Sequence, residues 1–480
     1  MFRFKWSVPR QPGRGKRFIR LSLLAGLFFL GVIFASAQTP ESPRTSSPMR
    51  LSTEQAVDLA IKNNLNLETA RLALDIKKRK ADLVWNQFLP SLGISGTLSR
   101  DNWATKSQGI DLSSLPLINP YSITLPQWHV TGMFTATLDF SFALIEGIRS
   151  FKLDYQAGTI SFEKAKLQIE QGIRKMYNSI LLLEANAVLL HESYDNARRQ
   201  ADIAEANFRA GLVPRLSWLQ AQVAAENMKP TINDLENNLK SLKGNFALLL
   251  GLAYDTIFEL DSITLGAAYI PSDVAELISR AASGKPDIQE LQANIITMQS
   301  QRKAQAMQQY TPYLRFGWTL STMFNPALDP FKNNWFNSNN WNGGGNFSIT
   351  LGMSFNSLFG FTKEGQQRKD MEAGIQIQNI MLAQMIRDTE LEIFTKINSL
   401  EKIRTTAEAQ QAAVDLAQLS YNLTEEAYKA GLQDVQSVQN AALALEQAKL
   451  QLLTQQFNYL NDLIDLEYSI GVPFGTLSSD

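Results

Sequence analysis

The sequence predicts a mixed α and β membrane protein made of two internal repeats, with four membrane β-strands per chain joined to long α-helices. Three observations predict this fold class. The chain begins with a segment typical of an export signal, it repeats itself at an offset of about 220 residues, and each repeat has one pair of amphipathic strands between helical stretches. Hydrophobic residues are 45% and charged residues 19% of the chain, which excludes wholesale disorder.

Residues 1–37 are predicted to form a signal peptide. Seven basic residues and no acidic residue precede an apolar run from Leu21 to Phe34. Ala35-Ser36-Ala37 supplies the small-x-small pattern of a cleavage site, so we expect cleavage after Ala37. An anchor helix is the alternative, but the apolar run is shorter than the ~20 residues that a spanning helix needs.

Removal of the signal changes the formal net charge from −1 to −8, because seven basic residues leave with it. So acidic a chain lacks the basic footprint that nucleic acid requires, and nucleic acid is not expected as a partner. The chain has no cysteine, which excludes disulfides, a thiol nucleophile and N-terminal lipid attachment. After the signal, no apolar run is long enough for a spanning helix, so any membrane part must consist of β-strands.

The chain that follows the signal is predicted to contain two repeats. Ala206–Leu212 (Ala-Asn-Phe-Arg-Ala-Gly-Leu) matches Glu426–Leu432 (Glu-Ala-Tyr-Lys-Ala-Gly-Leu). Phe88-Leu-Pro-Ser-Leu92 likewise matches Tyr310-Thr-Pro-Tyr-Leu314. Each repeat is predicted to contain a helix, two strands, a long helix, a turn and a second helix. The predicted segments are a flexible leader at 38–50, the first repeat at 51–260, a linker at 261–272, the second repeat at 273–473 and a tail at 474–480.

Each repeat has a helical stretch too long for a compact domain. Ala143–Ala210 and Phe361–Ala430 contain no proline, and each would span about 100 Å. Shorter helical stretches at 52–89 and 215–250, laid end to end, would match that length and give a helical cylinder of even thickness. Spacings of three, four and seven residues predict a coiled-coil seam after the second turn. Its residues are Val435, Val438, Ala442, Leu445 and Leu452.

Four segments change to the alternation of apolar and polar residues that is typical of β-strands. A sheet on a soluble core shows the same alternation, but the few long charged residues on the polar faces favour a membrane sheet. Asp139 and Arg315 are the exceptions, and both are predicted to face a barrel lumen. The strands are predicted at about 91–100, 129–142, 313–324 and 346–358.

Four strands cannot close a barrel, and an open sheet edge in lipid costs several kcal/mol for each unpaired backbone group. The chain must therefore form oligomers, and three copies would supply twelve strands. Long polar connections at 101–127 and 325–345 are expected as outer loops. Four tryptophans near strand ends are candidates for an aromatic girdle: Trp103, Trp128, Trp335 and Trp341.

These features resemble the TolC-type outer-membrane efflux proteins over residues 51–473. The resemblance rests on the duplicated halves, on Leu51-Ser-x-x-x-Ala56-Val-x-x-Ala60, on Phe88–Leu92 and on the paired Phe/Tyr-x-Ala-Gly-Leu turns. It implies a homotrimer with a 12-strand β-barrel in the outer membrane and a long periplasmic α-helical barrel. It further implies an exit duct joined by a periplasmic adaptor protein to an inner-membrane pump of the RND or ABC type.

The resemblance places the two paired turns at the periplasmic tip, where an adaptor would dock. A glycine after a long helix is also typical of a left-handed helix cap. Relatives often carry acidic residues shortly after the turn, but Ser217 and Ser437 stand there, so no aspartate-ring gate is expected. The predicted tip and adaptor-contact residues are Gly211, Leu212, Arg215, Ser217, Gly431, Leu432, Asp434, Ser437 and Asn440.

No catalytic or metal-binding constellation is apparent in the sequence. His129 and His191 are the two histidines, and neither belongs to a cluster with metal-ligand or Ser-His-Asp spacing. The sequence therefore predicts neither an enzyme nor a cofactor. A structural coiled-coil protein or adhesin without transport is the main alternative function, and drug, metal and protein cargo all stay open.

Overall fold

The computed structural model describes residues 49–100, 128–262, 274–324, 338–353, 355, 359–430 and 432–477. The predicted signal peptide with Ala37, and most of the predicted leader, lie outside the described residues. So do Trp103, Trp335 and Gly431. Among the described residues, no helix combines the length and apolar composition that crossing a membrane requires.

The first repeat begins with two consecutive helices, α1 (Thr53–Asn63) and α2 (Leu65–Asp82). Asn64 ends α1, and its side-chain oxygen accepts hydrogen bonds from the first turn of α2. The helical stretch predicted at 52–89 is therefore two helices, and a 3₁₀ turn at Val84–Phe88 completes it. One asparagine can end a helix and start the next because its short side chain bonds to backbone groups locally.

The two long helices are α3 (Ala143–Arg209) and α7 (Lys363–Lys429), each of 67 residues. Helix α4 (Arg215–Leu249) returns along α3, and α8 (Val435–Ile470) returns along α7. Helix α8 also contacts α3, which joins the two repeats. Three residues of the predicted coiled-coil seam are buried: Val435, Val438 and Leu445.

The second repeat begins with α5 (Val274–Gly284) and α6 (Pro286–Tyr310), the counterparts of α1 and α2. Contacts place the helices side by side in the order α2, α3, α6, α7 near the strands, and α4, α3, α8, α7 towards the two turns. Short helices therefore extend one another along the long helices. In the described part of the chain, α2, α4 and α7 are the outermost helices of these two rows. Each of them has one side that packs against no further helix of a row.

A layer of short elements covers one side of these helices. Strand β1 (Met49–Leu51) pairs in parallel with β4 (Phe258–Leu260), and together with α1 they pack on α3 and α4. The hydroxyl of the fully buried Tyr177 lies 3.0 Å from the carbonyl oxygen of Leu51 and 2.8 Å from that of Asp261. Helix α5 packs in the same way on α7 and α8.

Four strands form one antiparallel sheet in the order β2 (Ser91–Arg100), β3 (Trp128–Ser141), β5 (Tyr313–Phe324) and β6 (Trp341–Gly352). Both hairpins therefore meet in a single sheet, with β3 and β5 in the middle. Strands β2 and β6 are the edges, and every residue of β2 is exposed.

The register of the sheet separates an apolar face from a polar face. One row across the four strands reads Leu92, Ala136, Trp318 and Phe347. The neighbouring row on the other face reads Gly93, Thr135, Thr319 and Asn346. Apolar and polar residues alternate along each strand. The strand pairing places the apolar residues of all four strands on one face and the polar residues on the other, as a membrane sheet requires.

The fourth strand departs from its predicted range of 346–358. It begins at Trp341 and ends at Gly352, so Gly343–Gly345 lie in the strand and not in the predicted loop at 325–345. Glycine has a low β propensity, but these three glycines pair with residues 320–322 of β5, whose register continues to Phe324.

Candidate functional site

The turn between α3 and α4 has the geometry of a Schellman helix end. Gly211 adopts the left-handed conformation with φ of 76°. The amide of Leu212 donates to the carbonyl of Asn207 at 2.8 Å, and the amide of Gly211 donates to that of Phe208 at 2.9 Å. Leu212, the residue after this glycine, is 73% exposed.

The turn between α7 and α8 repeats the main features of the first. The amide of Leu432 donates to the carbonyl of Ala427 at 2.8 Å, and the Leu432 side chain is 79% exposed. Asp434 caps α8, since its carboxylate accepts the amide of Ser437 at 2.8 Å. The hydrogen bonds from Ser437 hold the pKa of Asp434 below its usual value.

Both turns lie at the same end of the helices. A buried cluster near them joins α3, α4, α7 and α8, and one of its members, Tyr428, lies beside Asn207. Burial raises the pKa of Tyr428, which the contact with Asn207 partly offsets. The remaining predicted tip residues lie in the first two turns of α4 and α8: Arg215 and Asn440 are exposed, and Ser217 and Ser437 are half-buried. The cluster consists of Ala201, Ala204, Ala221, Tyr421, Tyr428, Val435, Val438 and Leu445.

The two predicted lumen residues lie opposite each other on the polar face of the sheet. Asp139 pairs with Arg315 in the β3–β5 register, close to the end of the sheet that joins the helices. The guanidinium binds both carboxylate oxygens, with Nε at 2.5 Å and a terminal nitrogen at 3.0 Å. Their opposite charges cancel within each chain.

A polar network that sequence reasoning missed joins α3, α7 and α8. Asp465 of α8 accepts bonds from Lys175 of α3 at 2.8 Å and from Lys396 of α7 at 2.8 Å. Burial alone would lower the pKa of Lys396, but its bonds to Asp462 and Asp465 outweigh burial and raise it. The network borders a groove of about 510 Å³ and ties three helices together. Its sequence signal is the pair of carboxylates three residues apart, Asp462 and Asp465, with two apolar residues between them.

A second missed feature, here called the junction belt, consists of exposed aromatic residues where the sheet meets the helices. Phe140 packs against Phe88 and Phe142, with ring centroids 6.4 and 6.5 Å apart. Phe359 and Phe361 stack at 5.5 Å. The predicted girdle lies at the other end of the sheet, where Trp341 packs on the buried Phe324 at 5.1 Å. The belt residues are Trp85, Phe88, Phe140, Phe142, Phe359 and Phe361.

No group of three or more His, Cys, Asp or Glu side chains in the described residues could hold a metal ion.

A four-stranded sheet with one apolar face, joined to long helices with paired turns, defines a class of membrane protein with a large helical part outside the membrane. The sequence profile of the outer membrane efflux protein family matches residues 56–252 and 277–472, and the chain belongs to this family. The protein is located in the outer membrane, with the helices in the periplasm.

Individual relatives are distant in sequence and close in fold. The pyoverdine export outer membrane protein OpmQ of Pseudomonas aeruginosa is 22% identical over 300 residues, which are 60% of this chain and 60% of the relative. VceC from Vibrio cholerae superimposes with a TM-score of 0.68 at 17% identity, covering 88% of this chain and 96% of VceC. The Campylobacter jejuni CmeC outer membrane channel gives 0.68 at 18% identity, covering 87% of this chain and 85% of CmeC. These structures share the fold.

Proposed function

We propose that three copies of this chain form the exit duct of a tripartite efflux or type I secretion system. The duct is a passive conduit, and a periplasmic adaptor protein connects it to an inner-membrane pump of the RND or ABC type. Family membership supports a role in efflux. The observation that carries the proposal is that the sheet and the helix layer both have two open sides within one chain.

The open edges of the sheet support closure by neighbouring copies. Strands β2 and β6 each have one unpaired edge in the chain, and lipid would leave those backbone groups without partners. Pairing of β2 with β6 of the next copy removes both edges. Three copies then give twelve strands with the apolar face towards lipid and the polar face towards a lumen.

The two open sides of the helix layer both carry exposed apolar residues, at equal distances from the two turns. Leu419 of α7 lies twelve residues before Gly431, and Val223 of α4 lies twelve residues after Gly211. At the same rise per residue, the two exposed apolar stripes run side by side when copies pack around a ring. The α7 stripe consists of Ile377, Ile380, Leu391, Phe394, Leu416, Leu419 and Leu423, and the α2 and α4 stripe of Leu65, Leu72, Ile76, Leu216, Leu219 and Val223.

The two turns are the proposed docking site of the adaptor. Leu212 and Leu432 project from matched turns at the periplasmic end, and three copies would present six such leucines in a ring. Export of small molecules is supported by the name of the relative OpmQ, which describes pyoverdine export. Metal and protein cargo are alternatives for this chain.

The wild-type protein is expected to run as a trimer on an unheated gel and to conduct ions in a planar bilayer. Replacing Leu416 and Leu419 together by Glu is expected to give monomers without conductance, because two carboxylates per copy would be buried against the neighbour. A matched control introduces the same charges outside the stripe, at the exposed residues Gln411 and Asn422, and should retain trimers and conductance. A wild-type monomer without conductance would contradict the duct and favour the structural coiled-coil alternative.

Asp434 is expected to act as a helix cap and not as a charge gate. Asp434→Asn retains an N-cap side chain, so ion selectivity and resistance of the tip to protease should match the wild type. Asp434→Ala loses the hydrogen bond to Ser437, and the first turn of α8 should be cut faster, with selectivity unchanged. Single-channel reversal potentials and limited proteolysis measure the two effects. A strong cation preference that Asp434→Asn abolishes would return the carboxylate to the gate.

A further inference from the structure

We propose that the end of α2 and the following 3₁₀ turn bind the headgroup of an anionic phospholipid in the membrane leaflet next to the helices. The first observation is a continuous exposed apolar surface. Trp85 is 53% exposed, and Leu83 and Leu89 beside it are also exposed. This surface leads directly into Leu92, the first residue of β2 on the apolar face of the sheet. It therefore continues the surface that faces lipid.

The second observation is a group of free basic residues directly before this surface. Lys78, Arg79 and Lys80 are exposed, and none of them forms an ion pair with the described residues. Their neighbour Lys77, in contrast, binds Asp154 at 3.0 Å. Unpaired cations beside an apolar membrane surface are complementary to anionic lipid headgroups.

The spacing along the helix puts these charges at headgroup depth. Lys78 lies in the last turn and a half of α2, which ends at Asp82, and Trp85 follows seven residues later in the 3₁₀ turn. At a rise of about 1.5 Å per residue in the α-helix and about 2 Å in the 3₁₀ turn, the two positions are roughly 10–13 Å apart along the chain. Tryptophan prefers the membrane interface, and the headgroup layer extends roughly 5–7 Å beyond the hydrocarbon. A phosphate would therefore lie within reach of Lys78 when Trp85 sits in the interface.

The corresponding part of the second repeat does not carry the site. At the repeat offset, Ser300, Gln301 and Arg302 of α6 replace the three basic residues. Ser300 is buried and donates to Glu146 at 3.0 Å, and Arg302 lies 3.8 Å from Glu372. Helix α6 contacts α3 on one side and α7 on the other, so its counterpart positions lie between two helices of the same chain. The geometry thus assigns one site to each chain, and to the first repeat alone.

Native mass spectrometry of the full-length protein with equal amounts of phosphatidylglycerol and phosphatidylcholine tests this site. The wild type should retain phosphatidylglycerol over phosphatidylcholine by roughly fivefold or more, from the attraction between basic residues and anionic headgroups. The combined change Lys78→Gln, Arg79→Gln and Lys80→Gln should reduce the ratio to about one. A matched control changes three exposed basic residues far from the belt to Gln, Lys62, Lys240 and Arg387, and should keep the wild-type ratio.

The other outcomes of this experiment distinguish a lipid headgroup from free phosphate, or overturn the proposal. Equal retention of the two lipids by the wild type, or an unchanged preference in the triple variant, would overturn the proposal. Loss of the preference in inorganic phosphate, but not in chloride of equal ionic strength, would assign the site to free phosphate. If the triple variant misfolds by circular dichroism, Lys78→Gln alone should still lower the ratio. Native mass spectrometry measures bound lipid and does not require the protein to conduct ions. The test therefore stays valid if the duct proposal fails.

Discussion

Ile94→Lys is expected to abolish assembly of the protein in the outer membrane. Ile94 is 87% exposed and lies on the apolar face of β2, in the row of Phe134 and Leu320 near the middle of the strand. A lysine at the middle of a lipid-facing strand costs about 2–4 kcal/mol. Three copies would repeat that cost around a closed barrel. The summed cost is comparable to the whole free energy of unfolding of a typical domain.

The next residue of the same strand provides the control. Ser95 lies on the polar face, so Ser95→Lys places the same side chain in the proposed lumen, where water solvates it. Outer-membrane fractions of cells producing each variant should contain trimers with Ser95→Lys, and few or none with Ile94→Lys. Equal assembly of both variants would show that the apolar face of the sheet does not contact lipid.

Features encoded over a few neighbouring residues could be predicted from the sequence. The turn at Gly211 could be predicted because a Schellman end needs only a glycine after a helix. The strands were predictable because alternation is a local property. The ends of helices and strands were harder to predict from the sequence. Asn64 interrupts a helical pattern without changing its period. The extension of β6 to Trp341 depends on its pairing with β5.

Contacts between distant parts of the chain could not be predicted. Lys175 and Asp465 are 290 positions apart, and their ion pair depends on how α3 and α8 pack. The junction belt was missed for a different reason. Its aromatic residues come from the ends of separate elements, so Phe88 and Phe140 meet only after folding. Asp434 is a predicted tip residue, and only the position of the Ser437 amide shows that it caps α8.

Asp139→Asn is expected to make the duct prefer anions. The wild-type pair is neutral, because Arg315 binds both oxygens of Asp139. Asparagine keeps the shape of the side chain and removes its charge, which leaves one uncompensated guanidinium per copy and three around the proposed lumen. Three unit charges that line an aqueous pore should raise the ratio of chloride to potassium permeability by roughly fivefold at 0.1 M salt.

The reverse change and the double change complete the test. Arg315→Gln leaves three carboxylates and should shift the preference towards potassium, whereas Asp139→Asn combined with Arg315→Gln should return to the wild-type ratio. Raising the salt to ~1 M shortens the Debye length to about 3 Å, so it should suppress the effect of both single variants. Reversal potentials in a salt gradient measure all four proteins. Because the pair is exposed, its loss should change assembly little. Unchanged selectivity in both single variants would therefore place Asp139 and Arg315 outside the conduction path.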